Sequence, residues 1–429
     1  MIRKILSRYY HKLKIFILNT RENLYYYYER HLAVIIAKYF FLIPILEYIF
    51  EKRKIIFIRT VPMGPGELIP AIDGFIRKLH LGILKKDKKY IWISKNRDTY
   101  NILMKNTKEY FYFSSHNTFL YYLFLPIMIR RNKVTLECGI ARTKWIIPKN
   151  GKVIKKTIGR NNYLDRYSRS YSEKAWLDYW KIKNNKMSGN GLSKDYPISY
   201  SLKNLINKNI NKIALIHAKF IKRNSAAKAT DPNTYLPTLY KIKQNGYYVI
   251  YVGREKMPDE FKKLNIFDYA NSKHANFQND LGLFSLAKIS IIGGSGIAAL
   301  PVICKTPFLY INAWDRFIWP WSYNLSVFIP TLMKDKNNNK LTIKQQLEVL
   351  RYRSEEGPEN FPEQDYDPID ANDEQILEAY YELEYLIKNN NKEWTNNQKL
   401  IKNLDFGHLS FLESRISDKF INQNLEILK

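Results

Sequence analysis

The chain has 429 residues, of which 45% are hydrophobic and 25% are charged, and this composition excludes an intrinsically disordered protein. Two cysteines are too few for a disulfide framework or a cysteine-based metal site, so a reducing cytoplasm is expected. The formal net charge of +29 fits nucleic acid, an anionic membrane or a general bias toward Lys, Asn, Ile and Tyr. No RNA-binding signature or zinc-ligand spacing is present, so no nucleic-acid partner is predicted.

Residues 1–53 are predicted to be a membrane-associating helical segment. The stretch His31–Phe50 has the length of a bilayer span, but Lys38 and Glu47 within it make insertion costly. Basic residues between Arg3 and Lys14 suit an anionic headgroup layer. A helix lying in the membrane interface is therefore favoured, and a core helix and a true span are the alternatives.

Residues 54–200 are predicted to form an N-terminal α/β domain. A strand over Lys54–Arg59 leads through a glycine loop into an amphipathic helix over Glu67–Leu79. Further strands are predicted at Tyr90–Ser94 and Tyr110–Phe113, with a helix at Asp98–Met104 between them. This order indicates a parallel sheet, and the basic, aromatic stretch 142–200 indicates an insertion that leads to the next domain.

Residues 201–350 are predicted to form a second α/β domain. Its expected elements are strands at Lys212–His217, Tyr247–Val252 and Phe267–Tyr269 and helices at Pro232–Gln244 and Asn279–Ala287. Asp231 and Gly246 fit the N-cap and C′ positions of the first of these helices. Residues 351–429 are expected to be an acidic linker followed by helices at Glu374–Lys388 and Ser410–Gln423.

The segment Ile289–Asn312 carries the most informative motif of the chain. An apolar run ends in a turn formed by Gly293, Gly294, Ser295 and Gly296, and a helix of small residues and a second apolar run follow. Glycines at such a turn let backbone N–H groups approach an anion, so a phosphate of a sugar nucleotide would fit there. The alternative is that a strand-to-helix turn simply requires glycine. The spacing matches neither a dinucleotide fingerprint nor a P-loop.

Other polar residues follow predicted strands of the second domain, where open α/β sheets bind their ligands. His217, a candidate for hydrogen bonding to a phosphate or a ribose, ends one strand, and Lys219 and Arg223 follow it as candidate cations for binding a phosphate. Gly253 and Arg254 follow a second strand and Asn312 ends a third. A solvated lysine-rich loop is the alternative reading of the two cations.

A carboxylate can act as a general base, and two carboxylates follow the loop that contains Gly64 and Gly66. Glu67 lies nearest to the loop and Asp73 lies further along the helix, so both are candidates for the catalytic base. The alternative for Glu67 is stabilisation of the helix dipole. No carboxylate pair follows a strand in a position to hold a metal, so neither a metal nor a cofactor is predicted.

With both halves laid out, the chain resembles a GT-B glycosyltransferase, in which two Rossmann-like domains face each other across a cleft. The segment 59–72 is similar to the first strand and loop of bacterial heptosyltransferases, although Pro65 and Gly66 separate Gly64 from Glu67. The second half resembles an uncharacterised family of bacterial glycosyltransferases. That resemblance is carried by Asp231–Tyr235, Gly246–Gly253, Asp268–Ser272, Asp280, Gly293–Gly296, Pro307–Asn312 and Asp370–Leu383.

The resemblance implies an enzyme that moves a sugar from a nucleotide-sugar donor to a glycan or lipid-linked acceptor. Surface polysaccharide synthesis in bacteria, at the inner face of the cytoplasmic membrane, is the expected setting. A catalytically inactive scaffold of the same shape and a sugar-nucleotide epimerase are the alternatives.

Overall fold

The computed structural model describes residues 28, 32–59, 65–95, 98–129, 133–138, 141–145, 167–171, 173–219, 230–312, 324–342, 345–346, 366–389, 393–403 and 413–428. Two compact units make up the chain. Unit 1 comprises Met1–Pro62, Lys85–Cys138 and Thr143–Ser168, and unit 2 comprises Met63–Leu84, Gly139–Arg142 and Arg169–Lys429. The predicted domain boundary at residue 200 differs from this division, because residues 63–84 and 169–200 belong to the second unit.

The helices and strands alternate along most of the chain. The helices are α1 (Ala33–Tyr39), α2 (Leu42–Lys52), α3 (Pro65–His80), α4 (Asp98–Thr107), α5 (Thr118–Ile129), α6 (Glu173–Asn184), α7 (Tyr200–Ile206), α8 (Leu236–Gln244), α9 (Asp259–Lys262), α10 (Phe277–Leu286), α11 (Ala299–Cys304), α12 (Asp373–Asn389), α13 (Asn396–Asn403) and α14 (Asp418–Gln423). The strands are β1 (Ile55–Arg59), β2 (Lys89–Ile93), β3 (Phe113–Ser115), β4 (Thr135–Glu137), β5 (Ala141–Trp145), β6 (Tyr167–Tyr171), β7 (Ile213–His217), β8 (Tyr248–Tyr251), β9 (Phe267–Asp268), β10 (Ile289–Gly293), β11 (Phe308–Ile311), β12 (Ser326–Ile329), β13 (Leu332–Asp335), β14 (Tyr366–Ile369) and β15 (Arg415–Ile416).

Unit 1 contains a parallel sheet in the order β3-β2-β1-β4. The predicted strands at β1 and β2 and the predicted helix at α4 are confirmed. The strand predicted at Tyr110–Phe113 is wrong in its position, because Lys108–Tyr110 form a 3₁₀ turn and the strand begins at Phe113. The ring of Phe111 packs on Trp92 between these two elements, so its apolar character reflects core packing.

The apolar stretch predicted as one helix over His31–Phe50 forms two short helices, α1 and α2. Helix α1 ends at Tyr39, the backbone of Phe40 after it is extended, and α2 begins at Leu42. Ala33 and Ile43 lie in the core of unit 1, where they join Phe57 and residues of α5. Among the residues that the structure describes, no helix is both long and apolar enough to cross a membrane.

Unit 2 contains a seven-stranded parallel sheet in the order β9-β8-β7-β10-β11-β12-β15. Every residue of β7, β10, β11 and β12 is buried, and their sequences are near-continuous apolar runs. Such runs are typical of parallel strands that are covered on both faces. The chain leaves β7 toward β8 on one side and later returns to β10 on the other, so the strand order reverses between β7 and β10.

Most predicted elements of the second half are confirmed with boundaries shifted by one to four residues, including β7, β8, β9, α10 and α12. Asp231 caps the first turn of the predicted Pro232–Gln244 helix, which is a 3₁₀ turn continued by α8, and Gly246 has φ 80° as a C′ glycine should.

Three regions differ from the prediction. The stretch predicted as an insertion contains helix α6, which packs on α3. The acidic linker contains β14, which pairs antiparallel with β13, and the last predicted helix is shortened to α14 because Arg415–Ile416 adds strand β15 to the sheet. These strands have two to four residues, too few for a clear alternation of apolar and polar side chains.

Candidate functional site

The candidate site lies at the carboxyl edge of the seven-stranded sheet, where the strand order reverses. His217 at the end of β7 is in register with Ile292 of β10, so the loops that follow these two strands begin side by side. Open α/β sheets bind ligands at this kind of position, because the loops diverge there and leave a crevice. The predicted glycine turn follows β10 directly.

Gly293 and Gly294 of this turn lie against neighbouring backbone. A Cβ atom on Gly293 would be 2.9 Å from the Cβ of Ala218, and one on Gly294 would be 2.9 Å from the carbonyl oxygen of Asn312. Glycine is therefore required here for close packing of β10 against the ends of its neighbours. Ser295 follows in extended conformation and its side chain makes no capping hydrogen bond to the 3₁₀ turn Gly296–Ala298.

The N-terminal turn of helix α3 contacts the same glycine turn within unit 2. A Cβ on Gly66 would lie 2.5 Å from the Cα of Gly296, so position 66 has to be glycine for the two backbones to approach, and a Cβ on Gly296 would lie at a tight 3.3 Å from the Cα of Gly66. Glu67 is the next residue of α3, but its side chain and the whole of Gly64 lie outside the described residues. The structure thus brings together the glycine loop before α3 and the glycine turn after β10, which meet at Gly66 and Gly296.

His217 is a buried, neutral hydrogen-bond acceptor at this edge. Its Nδ1 lies 3.0 Å from the carbonyl oxygen of Val252, which can only accept, so Nδ1 carries the proton and Nε2 has a free lone pair. Burial lowers the pKa of His217 to about 4, so the ring is neutral at pH 7. The buried Nε2 has no hydrogen-bond partner among the described residues. Gly253, with φ 116°, leaves the room that the imidazole occupies.

Asn312 and Asp370 form the other side of this edge. Asn312 has φ 53° and is buried, and its Oδ1 accepts a hydrogen bond of 2.9 Å from the backbone N–H of Ala371. Its Nδ2 and the Oδ1 of Asp370 are buried, and neither has a partner within the described part of the chain. Burial raises the pKa of Asp370 to about 6. Asp370 was not predicted as a site residue, because only the hydrogen bond from its neighbour Ala371 to Asn312, 59 positions away, places it here.

Two of the predicted cations, Lys219 and Arg254, are among the described residues. Lys219 is half-buried two residues after β7, and its charge contributes to the low pKa of His217. Arg254 is exposed, and its charge acts on Asp280, whose pKa burial raises to about 6. Arg223 lies outside the described residues.

Asp73 takes part in a buried hydrogen-bond network on α3. Its Oδ2 accepts from Arg77 Nε at 2.7 Å and from the hydroxyl of Tyr179 at 3.0 Å, and its Oδ1 accepts from the N–H of Leu192 at 2.6 Å. The guanidinium of Arg77 also donates to residues 188–190. Both oxygens of Asp73 are thus occupied by structural partners, which favours an architectural role for this carboxylate.

No group of three or more His, Cys, Asp or Glu side chains within the described residues could hold a metal ion. Metal independence stays a prediction. Asp367 lies on β14 and forms an ion pair of 3.6 Å with Lys336.

No protein-family model matches the chain, and no curated protein does. Solved structures that are similar in fold include a glycosyl transferase of family 9 from Veillonella parvula, with 10% identity, a TM-score of 0.41 and coverage of 77% of this chain and 97% of that chain. The heptosyltransferase WaaC of E. coli with ADP has 8% identity and a TM-score of 0.33, with coverage of 71% and 98%. The iron-containing heptosyltransferase TibC in complex with ADP-D-β-D-heptose has 13% identity and a TM-score of 0.31, with coverage of 60% and 57%.

Proposed function

We propose that the protein is a metal-independent glycosyltransferase that moves a sugar from a nucleotide-sugar donor to a glycan or lipid-linked acceptor. Its proposed setting is bacterial surface polysaccharide synthesis, with the enzyme peripheral on the inner face of the cytoplasmic membrane. The proposal includes a GT-B arrangement of the two units. The observation that supports it best is the glycine turn Gly293–Gly296 directly beside His217, where the strand order of the larger sheet reverses.

The polar groups at this edge match a ligand that carries both phosphate and hydroxyl groups. Backbone N–H groups of the glycine turn and the hydroxyl of Ser295 can donate to phosphate oxygens. The Nδ2 of Asn312 is a further buried donor, and the Nε2 of His217 is a buried acceptor that suits a sugar hydroxyl. Lys219 and Arg254 supply positive charge for the departing nucleoside diphosphate in this proposal, and Arg223 is a further candidate.

In the proposed reaction, Glu67 takes the proton of the acceptor hydroxyl. The acceptor oxygen then forms a bond to the anomeric carbon while the bond from that carbon to the phosphate oxygen breaks, and the nucleoside diphosphate leaves with the electron pair. Glu67 is favoured over Asp73 because it follows Gly66, which contacts the glycine turn, whereas both oxygens of Asp73 are bonded within the protein. Glu67→Gln should lower turnover by roughly 10²–10⁴-fold with donor binding little changed.

The donor site can be tested by thermal shift and calorimetry with UDP-, GDP-, ADP- and CMP-sugars. A ligand present at about 100 times its Kd should stabilise the protein by roughly 2.7 kcal/mol. Ser295→Ala should weaken binding of that ligand by about 1.5–3 kcal/mol if the hydroxyl donates to a charged oxygen. Ser193→Ala, at another half-buried serine of unit 2, is the matched control.

Absence of binding by all these nucleotide sugars would contradict the proposal. Binding without any transferred product, over a range of glycan and lipid-linked acceptors, would favour the scaffold. A changed sugar in the recovered nucleotide sugar, formed without any acceptor, would favour the epimerase.

A further inference from the structure

The α1–α2 segment, residues 32–52, exposes apolar side chains on the face that points away from its own unit. Ala33, Ala37 and Ile43 are buried, and Phe50 packs edge to face on Phe57 of β1 at 5.1 Å. The segment is therefore part of the folded unit and is held by it. A helix on a protein surface normally turns polar residues outward, because those residues face water.

Here the outward residues are large and apolar. Tyr39 and Phe41 are each 71% exposed and Ile45 is 51% exposed. The exposed set is Leu32, Ile35, Tyr39, Phe40, Phe41, Leu42, Ile45, Tyr48 and Ile49. A concentration of this kind within 18 consecutive residues marks an interaction surface, because single exposed apolar residues are ordinary but contiguous ones are not.

The charge around this surface identifies the kind of partner. Residues 1–54 contain eleven Lys and Arg residues against four Glu residues. Lys52, Arg53 and Lys54 are exposed at the C-terminal end of α2, directly beside the apolar residues. Of the acidic residues nearby, Glu51 pairs with Lys133 at 3.2 Å, Asp87 pairs with Lys54 at 2.8 Å, and Glu47 is half-buried. Basic residues beside exposed Tyr, Phe and Ile side chains suit the headgroup and acyl boundary of an anionic bilayer.

We propose that the α1–α2 segment is the surface that contacts an anionic lipid bilayer, with the Phe40–Phe41 corner between the helices as its deepest point. This inference rests on the membrane location in the proposed function and adds the residues that make the contact. Both helices would lie along the interface, with Ala33 and Ile43 facing unit 1 and Phe41 and Ile45 facing the acyl chains.

Cosedimentation of the full chain with vesicles tests this surface. The probes are phosphatidylcholine vesicles with and without added phosphatidylglycerol. The wild type should bind the anionic vesicles and bind the neutral ones at least several-fold more weakly. The double variant Phe41→Ser/Ile45→Ser should lose roughly tenfold or more in affinity for the anionic vesicles. Its control is Tyr200→Ser/Leu205→Ser, which removes two equally exposed apolar side chains from α7 and should bind like the wild type.

A second pair of variants separates charge from apolar contact. Lys52→Glu/Arg53→Glu should weaken binding to anionic vesicles by about tenfold or more, whereas Lys203→Glu/Lys208→Glu, an equal change at exposed lysines of unit 2, should have little effect. Equal losses in test and control variants, or no vesicle binding by the wild type, would overturn the proposal. So would a wild-type dimer that Phe41→Ser/Ile45→Ser converts to a monomer, since the face would then cover a second copy. Nucleotide binding by each variant is measured in parallel, so failure of this surface and failure of the donor site are distinguishable.

Discussion

Two clusters of buried polar side chains in unit 2 differ in how completely they are hydrogen bonded. In the α3 cluster, formed by the side chains of Asp73, Arg77, Tyr179 and Ser188 with the backbone carbonyls of Gly189 and Asn190, both carboxylate oxygens and all three guanidinium nitrogens have partners. In the sheet-edge cluster, formed by His217, Asn312 and Asp370, each side chain has one buried atom without a partner among the described residues.

The completeness of the hydrogen bonding distinguishes a structural cluster from a candidate binding cluster. A buried polar group without a partner costs about 1–3 kcal/mol, so a folded protein keeps it only where something else requires it. The α3 cluster ties α3 to residues 188–192 and is complete by itself. The sheet-edge cluster presents two acceptors and one donor beside the glycine turn, which is what a ligand with hydroxyl and phosphate groups would complete.

The largest expected effect is a loss of protein stability after a substitution in the α3 cluster. Arg77→Leu leaves the carboxylate of Asp73 buried without its cation and should lower the free energy of unfolding by about 3–5 kcal/mol. Lys78→Leu, at the next residue of α3 but with a half-buried side chain, is the control and should change it by less than about 1 kcal/mol. Urea denaturation measures both.

The comparison also requires that Arg77→Leu leave the ligand site intact. Nucleotide affinity of the folded variant, measured at low temperature, should change by less than about threefold. A loss of affinity as large as that for Ser295→Ala would mean that the α3 cluster belongs to the site, and the distinction between the two clusters would fail.

A smaller change in the free energy of unfolding, opposite in sign to that of Arg77→Leu, is expected when Asp370 is replaced. Burial raises the pKa of this carboxyl to about 6 in the folded protein. A raised pKa means that the folded state binds the proton more tightly than the unfolded state does. The stabilising contribution is therefore complete below the unfolded pKa of about 3.9, and it is lost as the pH rises through about 6.

Asp370→Asn removes that pH dependence. The variant should be more stable than the wild type at pH 7, by about 1–2 kcal/mol after allowance for partial solvent screening, and the advantage should disappear near pH 4. The control is Asp367→Asn, at a more exposed acid on strand β14, which directly precedes Asp370. It should show no such gain in stability. If Asp370→Asn were less stable than the wild type at pH 7, the carboxylate would have a partner that stabilises its charged form.

The sequence predicts the sheet-edge cluster better than the α3 cluster. The strands that end at His217 and Gly293 are apolar runs bounded by turn residues, and glycine at a strand end is a local signal, so these strand ends and the glycine turn are predicted from the sequence. The role of Asp73 was not, because Tyr179 and Leu192 lie 106 and 119 residues further along the chain. Spacing alone therefore left Asp73 as a candidate base.

The sequence also does not show which apolar side chains are buried within the chain. The apolar residues of α3 are buried and many of those in α1–α2 are exposed, although both stretches are rich in Ile, Leu and Phe. Apolar composition predicts that a helix has an apolar partner, and it does not say whether the partner lies within the chain. Strands β12 to β15 were missed because they have two to four residues each and are defined by their pairing with distant segments.

The smallest expected effect, and the sharpest test of the sheet-edge cluster, is at His217. Asn in this position can keep the hydrogen bond to the carbonyl of Val252 through its Nδ2, but it has no atom in place of Nε2. His217→Asn should therefore weaken binding of a nucleoside diphosphate by roughly three- to tenfold, as expected for one hydrogen bond. His274→Asn, at a half-buried histidine of the same unit, should bind as the wild type does. Because Nε2 can only accept, its partner has to be a hydroxyl or amino group of the ligand and not an ionised phosphate.

If that partner is a ribose hydroxyl, then the 2′-deoxy or the 3′-deoxy analogue should bind the wild type as weakly as the full ligand binds His217→Asn. The same analogue should lose nothing further in the variant. Equal losses for every analogue in His217→Asn would instead mean that the imidazole only supports the fold.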